Sequence, residues 1–421
     1  MIRHRLGKNA FIQRLVSTAL LISISTESGM QTIQQSFKVE YSYAVFFTHY
    51  LFDQKNPLLK NFFNDYSEQG FQRKALVIAD EGFLHHHPEI PGQISSYFSE
   101  SVPQVQLASE IISVPGGETA KNDINTFNRL VEAVDMYGID RHSFIIAIGG
   151  GAVLDLVGYA AAVSHRGIKL IRIPTTVLSQ NDSGVGVKNS INFHGKKNFL
   201  GTFAPPVAVF NDLTFLKSLD DRDWRSGIAE AIKVALIKDA AFFEWMEEHV
   251  VALAHRDTES MAYLIHRCAE MHTDHIAGGD PFEFGSSRPL DFGHWAAHKL
   301  EYLTNFEIRH GEAVAIGIAL DCVYAAKAGR LAEADLNRIL EVMHKLGFEL
   351  YHPKLSENDK INLRNGLQEF REHLGGQLTI MLLDKIGKGT EVHELDTGII
   401  SDAVDFLSAF QSQLTESKVL E

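Results

Sequence analysis

Cysteine is scarce in this chain, and its scarcity excludes two kinds of architecture. The only two cysteines, Cys268 and Cys322, are too few for a disulfide framework and lack the spacing of a zinc site. We expect both to lie on helices as small apolar residues. The reducing cytosol is therefore the default compartment.

Positive charge is also in short supply. There are 39 lysines and arginines against 53 acidic residues, a formal net charge of −14. A nucleic-acid-binding protein usually has a basic face, so this balance argues against a nucleic-acid partner. It also means that an anionic substrate would have to be met by a local cluster of positive charge.

The N-terminus lacks acidic residues and lacks an apolar run of membrane-spanning length. Residues 1–25 contain Arg3, Arg5, Lys8 and Arg14, and the run Leu15–Ile24 is too short to cross a bilayer. A basic start of this kind is typical of a transit peptide or a weak signal peptide. The alternative is that Met30 is the true start. We treat residues 1–31 as an extension or targeting segment, which leaves organelle targeting or export open beside a cytoplasmic location.

Apolar runs and amphipathic segments alternate from about Thr32 to Phe215, a pattern that predicts α/β architecture. Four runs read as buried strands: 75–79, 111–114, 143–148 and 170–173. Such continuous apolar strands suit a parallel sheet covered on both faces. After Leu219 the segments 226–254, 258–277, 294–304 and 311–328 read as helices. The sequence therefore predicts a Rossmann-like dinucleotide-binding domain over 32–219 and a mostly helical domain over 220–421, with the site in the cleft between them.

Three consecutive glycines, Gly149, Gly150 and Gly151, stand between a predicted strand and a predicted helix over 152–163. Glycines at such a turn let backbone N–H groups approach a diphosphate at the helix N-terminus. The run does not match G-x-G-x-x-G, so a purely structural turn is the alternative. Asp155 follows in what we take as the first turn of the helix, either as a ligand contact or as a partner of the helix dipole.

The segment 166–198 supplies the positive charge that the chain as a whole lacks. It contains Arg166, Lys169, Arg172, Lys188, Lys196 and Lys197 against one acid, Asp182. Flexible backbone with clustered lysines suits a phosphate. A solvated basic loop is the alternative.

Residue types that ligate metals occur at three places in the second half. Glu230 lies on a predicted helix with Lys233 one turn further on, His294 opens a helix that also carries His298, and His310 opens another. One carboxylate and two imidazoles would leave positions open on a Zn²⁺-like ion for substrate oxygens. With 20 histidines in the chain, spacing alone does not single out these two.

Seven motifs occur in the order found in the 3-dehydroquinate synthase superfamily, and the chain resembles that superfamily over roughly 37–397. They are Gly149-Gly-Gly-Ala-Val-Leu-Asp155, Arg166-Gly, Ile173-Pro-Thr-Thr176, Gly195-Lys-Lys-Asn198, Ala229-Glu-Ala-Ile-Lys233, Phe292-Gly-His294 and Arg309-His-Gly-Glu312.

The resemblance implies a role for each matching residue. Glu230, His294 and His310 would hold one divalent metal, Zn or Co. An NAD site would be lined by Asp80, Glu118, Lys121, Gly149, Gly150, Gly151, Asp155, Thr175 and Thr176. Substrate phosphate would be bound by Arg166, Lys188, Lys197 and Asn198, with Arg166 reaching in from the other subunit of a homodimer. The implied catalytic residues are Lys188, Lys233, Asp182, Arg288, Asp291 and His298.

The activity that the resemblance implies is closure of a phosphorylated sugar to a carbocycle. NAD would be reduced and reoxidised within one turnover, phosphate would leave by β-elimination, and an intramolecular aldol step would close the ring. No membrane is implied as a partner.

Three departures from the shikimate-pathway branch bear on the substrate. Asp291 stands where that branch usually has asparagine, the stretch 270–276 lacks its lysine, and 369–376 lacks its lysine pair. A pocket that loses cations and gains an aspartate disfavours a substrate carboxylate. The stretches 192–198, 288–291 and 370–376 are similar to sedoheptulose 7-phosphate cyclases, whereas His298 is retained as in dehydroquinate synthases. We therefore expect a sedoheptulose 7-phosphate or related ketose-phosphate cyclase. The alternatives are dehydroquinate synthase, a third branch, a metal-dependent polyol or glycerol dehydrogenase, and an inactive binding protein.

Overall fold

The computed structural model describes residues 33–66, 72–194, 196–278, 281–282, 291–373 and 376–420. The expected extension over 1–31 and Arg288 lie outside the described residues. Residues 33–41 form no helix or strand and belong to a unit separate from the rest of the chain. Among the helices of the described chain, none is long and apolar enough to cross a bilayer.

The first half of the chain supplies nine strands interleaved with six helices. The strands are β1 (Ala44–Thr48), β2 (Arg73–Asp80), β3 (Val105–Leu107), β4 (Ile112–Val114), β5 (Phe144–Gly149), β6 (Lys169–Pro174), β7 (Lys188–Phe193), β8 (Lys196–Phe203) and β9 (Ala208–Asp212). The helices are α1 (Leu58–Asn64), α2 (Glu81–His86), α3 (Ile90–Ser101), α4 (Thr119–Asn122), α5 (Ile124–Met136) and α6 (Gly151–Val163).

Seven of these strands form one parallel sheet in the order β1-β9-β6-β5-β2-β3, with β4 also paired to β2. Separate apolar clusters cover its two faces. Helices α1 and α3 belong to one cluster, and α5 and α6 to the other. The α/β prediction is therefore confirmed, and all four predicted strands are present. Three strands of this sheet, β1, β3 and β9, were not predicted, and each is only three to five residues long.

After β9 the chain is mostly helical, as predicted. The helices are α7 (Asp221–Lys238), α8 (Ala240–Glu248), α9 (Val250–Ala254), α10 (Thr258–Ala277), α11 (His294–Leu303), α12 (His310–Lys327), α13 (Glu333–Lys345), α14 (Ile361–His373) and α15 (Thr397–Leu420). A small antiparallel hairpin, β10 (Ile380–Lys385) and β11 (Lys388–Val392), stands between the last two. One apolar cluster unites these elements around α12.

Side-chain caps decide where two of these helices begin, and here the prediction over 226–254 was wrong. Asp220 accepts a hydrogen bond from the Asp223 amide, so α7 starts five residues before Ser226. Asp239 does the same for the Phe242 amide at 3.0 Å and opens α8. Aspartate at an N-cap satisfies an amide that the helix leaves free, and Asp239 thereby separates α8 from α7, whereas α9 begins at Val250 without a side-chain cap. Cys268 and Cys322 are buried on α10 and α12, as expected.

Candidate functional site

The carboxyl ends of three adjacent strands bring together residues that the sequence placed in a cofactor site. Register pairs Ala79 of β2 with Ile148 of β5, and Gly149 with Pro174 of β6. Asp80, Gly149 and Thr175 therefore share one edge of the sheet, and the Thr175 amide donates to the Gly149 carbonyl at 3.0 Å. This edge is where ligands bind in open parallel sheets.

The glycine turn opens α6 with uncapped amides. Gly150 is extended at the N-cap position, and no described side chain caps the helix. A Cβ on Gly151 would lie 2.5 Å from the Ser183 Oγ, so this position requires glycine. Free amides at a helix N-terminus suit a diphosphate.

Asp155 does not lie in the first turn of α6 as expected, because the helix begins at Gly151. Its Oδ2 accepts from the Lys121 ammonium at 2.8 Å and from the Ser190 hydroxyl at 3.3 Å. Lys121 also donates to Asn198. Asp155, Lys121 and Asn198 thus link α6, α4 and the β7–β8 hairpin. Glu118 strengthens the link by accepting from the Asn192 amide at 2.7 Å.

The expected flexible basic loop is instead an antiparallel hairpin, β7–β8. Lys188 is exposed at its start and Lys197 is half-buried on its second strand. Asn198 has a positive φ of 54° and its amide donates to Asn192 at 2.7 Å. Pairing between the strands holds these polar groups in place, which composition alone did not predict.

Arg172 was counted among the cations of the segment 166–198 that could meet a phosphate, and the structure gives it a different role inside the strand predicted over 170–173. It is fully buried on β6. Its guanidinium donates to the carbonyls of Ser183, Gly184, Gly186 and Lys188 and to the Asn189 side chain, at 2.7–3.3 Å. Arg172 therefore organises the turn between β6 and the hairpin, including the π-helical segment Ser179–Ser183 that carries Asp182.

The candidate metal ligands meet as the sequence predicted. The Oε1 of Glu230 on α7 lies 3.6 Å from His294 Nε2 and 3.4 Å from His310 Nε2. Two ligands about 2.0–2.1 Å from a tetrahedral ion lie about 3.4 Å apart, so the donor atoms have the separation that such an ion requires. Within the described residues, Glu230 Oε1 has no hydrogen bond although it is buried. The donor set thus fits a divalent metal.

Close helix crossings bring the three ligands together. A Cβ on Gly311, next to His310, would lie 2.2 Å from the Ser226 carbonyl on α7, and one on Gly317 would lie 2.0 Å from the Gly293 carbonyl. Glycine is required at both positions because backbone meets backbone there. Helix α12 therefore packs directly against α7 and the start of α11.

A buried carboxylate orients the start of α11. Asp321 on α12 accepts from the Trp295 indole at 2.8 Å and from the Gly293 amide at 3.0 Å. His294 lies between these two donors in the sequence, and its own Nδ1 contacts the Phe292 carbonyl at 3.0 Å. Since a carbonyl only accepts, Nδ1 carries the proton and Nε2 offers a lone pair to the site.

Asp321 gives a pH dependence that can be measured. Burial raises its pKa to about 7, above the value near 4 in an unfolded chain. The native protein therefore binds this proton more tightly, and the stability contribution is lost as the pH rises from about 4 to about 7. We expect the stability difference between wild type and Asp321→Asn to shrink by about 2 kcal/mol between pH 5.5 and 7.5. Urea unfolding at both pH values measures it. A constant difference would contradict the prediction.

Two further charged side chains, Lys233 and Asp182, lie near Glu230. Lys233 forms an ion pair with Glu230, and Asp182 contacts the His272 Nδ1 at 2.9 Å. Burial favours the neutral form of all three ionisable groups, but the charges outweigh it: the pKa of Lys233 is raised and those of Glu230 and Asp182 are lowered. Asp291, half-buried, contributes to raising the pKa of Lys233.

His272 and Glu301 are site residues that the sequence analysis did not single out. His272 lies in the stretch 270–276, which was noted only for its missing lysine. Glu301 is buried on α11 and accepts from Lys197 Nζ at 2.9 Å. It also contacts the His310 Nδ1 at 3.3 Å. Its spacing of seven residues from His294, two helical turns along one face, was the available signal.

Two further predicted site residues, His298 and Arg166, are exposed. His298 is exposed one turn after His294, and its ring centroid lies 5.5 Å from that of His294. Arg166 is exposed beyond the end of α6. The 13-residue helix, about 20 Å long, separates it from the glycine turn of its own chain.

Two family models match the parts of the chain that form this site. The 3-dehydroquinate synthase N-terminal model matches residues 111–226 and the C-terminal model matches 227–366. A 3-dehydroquinate synthase of Nitrosospira multiformis is 36% identical over 299 residues, 71% of this chain and 80% of that protein. The chain belongs to the 3-dehydroquinate synthase family.

The chain is also similar in structure to two solved synthases. The 2-epi-5-epi-valiolone synthase of Streptomyces hygroscopicus subsp. jinggangensis 5008, solved with NAD⁺ and Zn²⁺ bound, has a TM-score of 0.80 at 30% identity, over 90% of this chain and 99% of that one. A 2-deoxy-scyllo-inosose synthase, complexed with carbaglucose-6-phosphate, NAD⁺ and Co²⁺, has a TM-score of 0.70 at 23% identity, over 86% and 95%. The second likeness shows the fold alone.

Proposed function

We propose that the protein is a sugar phosphate cyclase that uses NAD and one divalent metal ion, Zn²⁺ or Co²⁺. The observation that carries the proposal is the meeting of Glu230, His294 and His310 beside a lysine-bearing hairpin and an uncapped glycine turn. The cyclases solved with NAD⁺ and Zn²⁺ or Co²⁺ support the choice of cofactors. When bound, NAD provides a reversible hydride acceptor and the metal a Lewis acid for a substrate oxygen.

The residues of this chain have separate proposed roles in binding the metal, NAD and the substrate phosphate. Glu230, His294 and His310 would hold the metal, while Asp80, Thr175 and Thr176 at the sheet edge and the amides of the glycine turn bind NAD. Lys188, Lys197 and Asn198 bind the substrate phosphate and stabilise it as a leaving group. Arg166 of a second subunit would complete that subsite, since its own chain holds it at the far end of α6. The proposed assembly is thus a homodimer.

Charged groups near the reacting carbons have distinct proposed roles. Lys233 stabilises a developing oxyanion, and Asp182, ionised beside Lys233 and His272, accepts a hydrogen bond from a substrate hydroxyl. His298 is exposed to the cleft and is the proposed proton-transfer group. Arg288 remains a proposed cation from sequence alone.

Sedoheptulose 7-phosphate or a related ketose phosphate is the proposed substrate. Glu230, Asp182 and Asp291 already balance the charge of Lys233, so a second substrate anion finds no unpaired cation among these described groups. His272 occupies the stretch from which the shikimate-pathway branch presents a lysine. Because the relative from Nitrosospira is a 3-dehydroquinate synthase, that activity is the alternative. A polyol dehydrogenase would not require the lysines of the hairpin.

Phosphate release from two substrates tests the proposal. Protein loaded with NAD and Zn²⁺ or Co²⁺ is incubated with sedoheptulose 7-phosphate or with 3-deoxy-arabino-heptulosonate 7-phosphate. We expect release from the first, with no net NADH. Release from the second alone would identify a dehydroquinate synthase, and NADH accumulation with a simple polyol would identify a dehydrogenase.

Asp291→Asn tests the reason for this preference. Removing one carboxylate from a partly buried pocket is expected to improve kcat/KM for the carboxylated ketose relative to sedoheptulose 7-phosphate by about tenfold, the equivalent of about 1.4 kcal/mol. Glu247→Gln, on α8 and paired with Arg338 at the surface, is the control and should leave the ratio unchanged. An unchanged ratio in Asp291→Asn would remove Asp291 from the specificity argument.

A further inference from the structure

Glu301 contacts two groups of the candidate site, one on the β7–β8 hairpin and one at the start of α12. Its Oε1 and Oε2 lie 2.9 and 3.2 Å from the Lys197 ammonium on β8. The same Oε2 lies 3.3 Å from the Nδ1 of His310. One buried carboxylate therefore contacts a proposed phosphate ligand and a proposed metal ligand.

The contact with His310 determines which ring nitrogen can bind a metal. The Glu301 carboxylate forms an ion pair with the Lys197 ammonium through both of its oxygens. An ionised carboxylate only accepts hydrogen bonds, so His310 Nδ1 donates and Nε2, facing Glu230, is left with the lone pair. Carboxylates that orient metal-binding histidines in this way raise metal affinity.

The contact with Lys197 is arranged differently. The side chain of Lys197 is 27% exposed, whereas that of Glu301 is 5% exposed. An anion arriving from solvent therefore reaches Lys197 but not Glu301. Phosphate and Glu301 then compete for the same ammonium.

We propose that Glu301 is a positioning residue that orients His310 for the metal and holds Lys197 in place until a phosphate group takes it. This inference rests on the proposed function, since it requires the metal and phosphate subsites. It predicts effects of opposite sign when the carboxylate is neutralised. Metal binding weakens because a neutral amide oxygen is a weaker acceptor for His310 Nδ1 than a carboxylate, and phosphate binding tightens because Lys197 loses its competing anion.

Glu301→Gln tests both effects without an activity assay. Zinc affinity is measured by competition with a chromophoric chelator, and inorganic phosphate binding by calorimetry at low ionic strength. We expect zinc affinity to fall by about 10- to 100-fold and phosphate affinity to rise by about threefold or more. A purely structural defect would weaken both, and that result would overturn the inference.

Three further variants keep the test interpretable. Glu247→Gln removes a surface carboxylate that contacts Arg338 at 2.6 Å and should change neither affinity. Lys197→Met should weaken phosphate binding by about tenfold or more and leave zinc affinity unchanged. Glu301→Asp, one methylene shorter, should lower zinc affinity less than Gln does, and serves if Glu301→Gln fails to fold.

Failure of the proposed function can be distinguished from failure of the proposed role of Glu301. If wild-type protein binds neither zinc nor phosphate, the proposed function falls and the inference with it. If wild type binds both and Glu301→Gln binds both equally well, only the inference is overturned.

Discussion

Replacing Glu230 with Gln is expected to abolish activity and to remove zinc binding at micromolar metal. Glu230 is the single carboxylate of the candidate ligand set, and its Oε1 faces both imidazoles. A neutral amide is a poorer ligand for Zn²⁺ than a carboxylate. Turnover is expected to fall by about a thousandfold or more, since a Lewis acid supplies several kcal/mol of transition-state stabilisation.

The same substitution is expected to destabilise the fold. Lys233 is buried and loses the partner of its ion pair. Breaking a buried pair by removing one charge costs about 3–5 kcal/mol. Urea unfolding of the metal-free proteins measures this cost, and the chelator competition measures zinc affinity.

A surface glutamate provides the matched control. Glu247 pairs with Arg338 at 2.6 Å, with both side chains more than a third exposed. Glu247→Gln should cost about 1 kcal/mol or less and leave zinc binding unchanged. Wild-type zinc affinity in Glu230→Gln would show that the metal, if one binds, lies elsewhere.

Arg172→Met is expected to destabilise the fold by about 3–5 kcal/mol, as much as Glu230→Gln. The side chain is fully buried, and its five hydrogen bonds satisfy four backbone carbonyls and the Asn189 amide oxygen. Methionine fills similar volume but donates nothing, so these acceptors are left without their donor. Urea unfolding measures the loss.

Local hydrogen exchange should reveal the cause. Amides over 183–188 are expected to exchange faster in Arg172→Met than in wild type, because the turn loses its central donor. Arg338→Met removes an exposed guanidinium and should change stability by no more than about 1 kcal/mol. A loss below 1 kcal/mol in Arg172→Met would mean that the carbonyls find other donors.

The sequence predicted those parts of the candidate site that depend on a few neighbouring residues. The glycine run predicted a strand-to-helix turn, because glycine lets the backbone turn tightly there and leaves its N–H groups accessible. The helix starts at His294 and His310 were predicted within one residue. Resemblance to the family then selected Glu230, His294 and His310 from among many acidic residues and histidines.

Arg172 and the β7–β8 hairpin show where pattern reasoning failed. In a list of residues Arg172 is one cation among six, and only its position inside the sheet makes it a buried hydrogen-bond donor. Lysines, glycines and asparagines over 166–198 suggested a flexible loop, because cross-strand pairing leaves a weak signal when one strand is largely exposed.

What the sequence by itself determined is the set of elements and the residue types at their ends: apolar periodicity, glycine and aspartate act within a few neighbouring residues. What only the tertiary structure decided is which of these residues touch. Glu301 meets Lys197 across 104 residues of chain, and Asp182 meets His272 across 90. Such contacts depend on how closely whole helices cross, here at Gly311 and Gly317, and no local pattern specifies that distance.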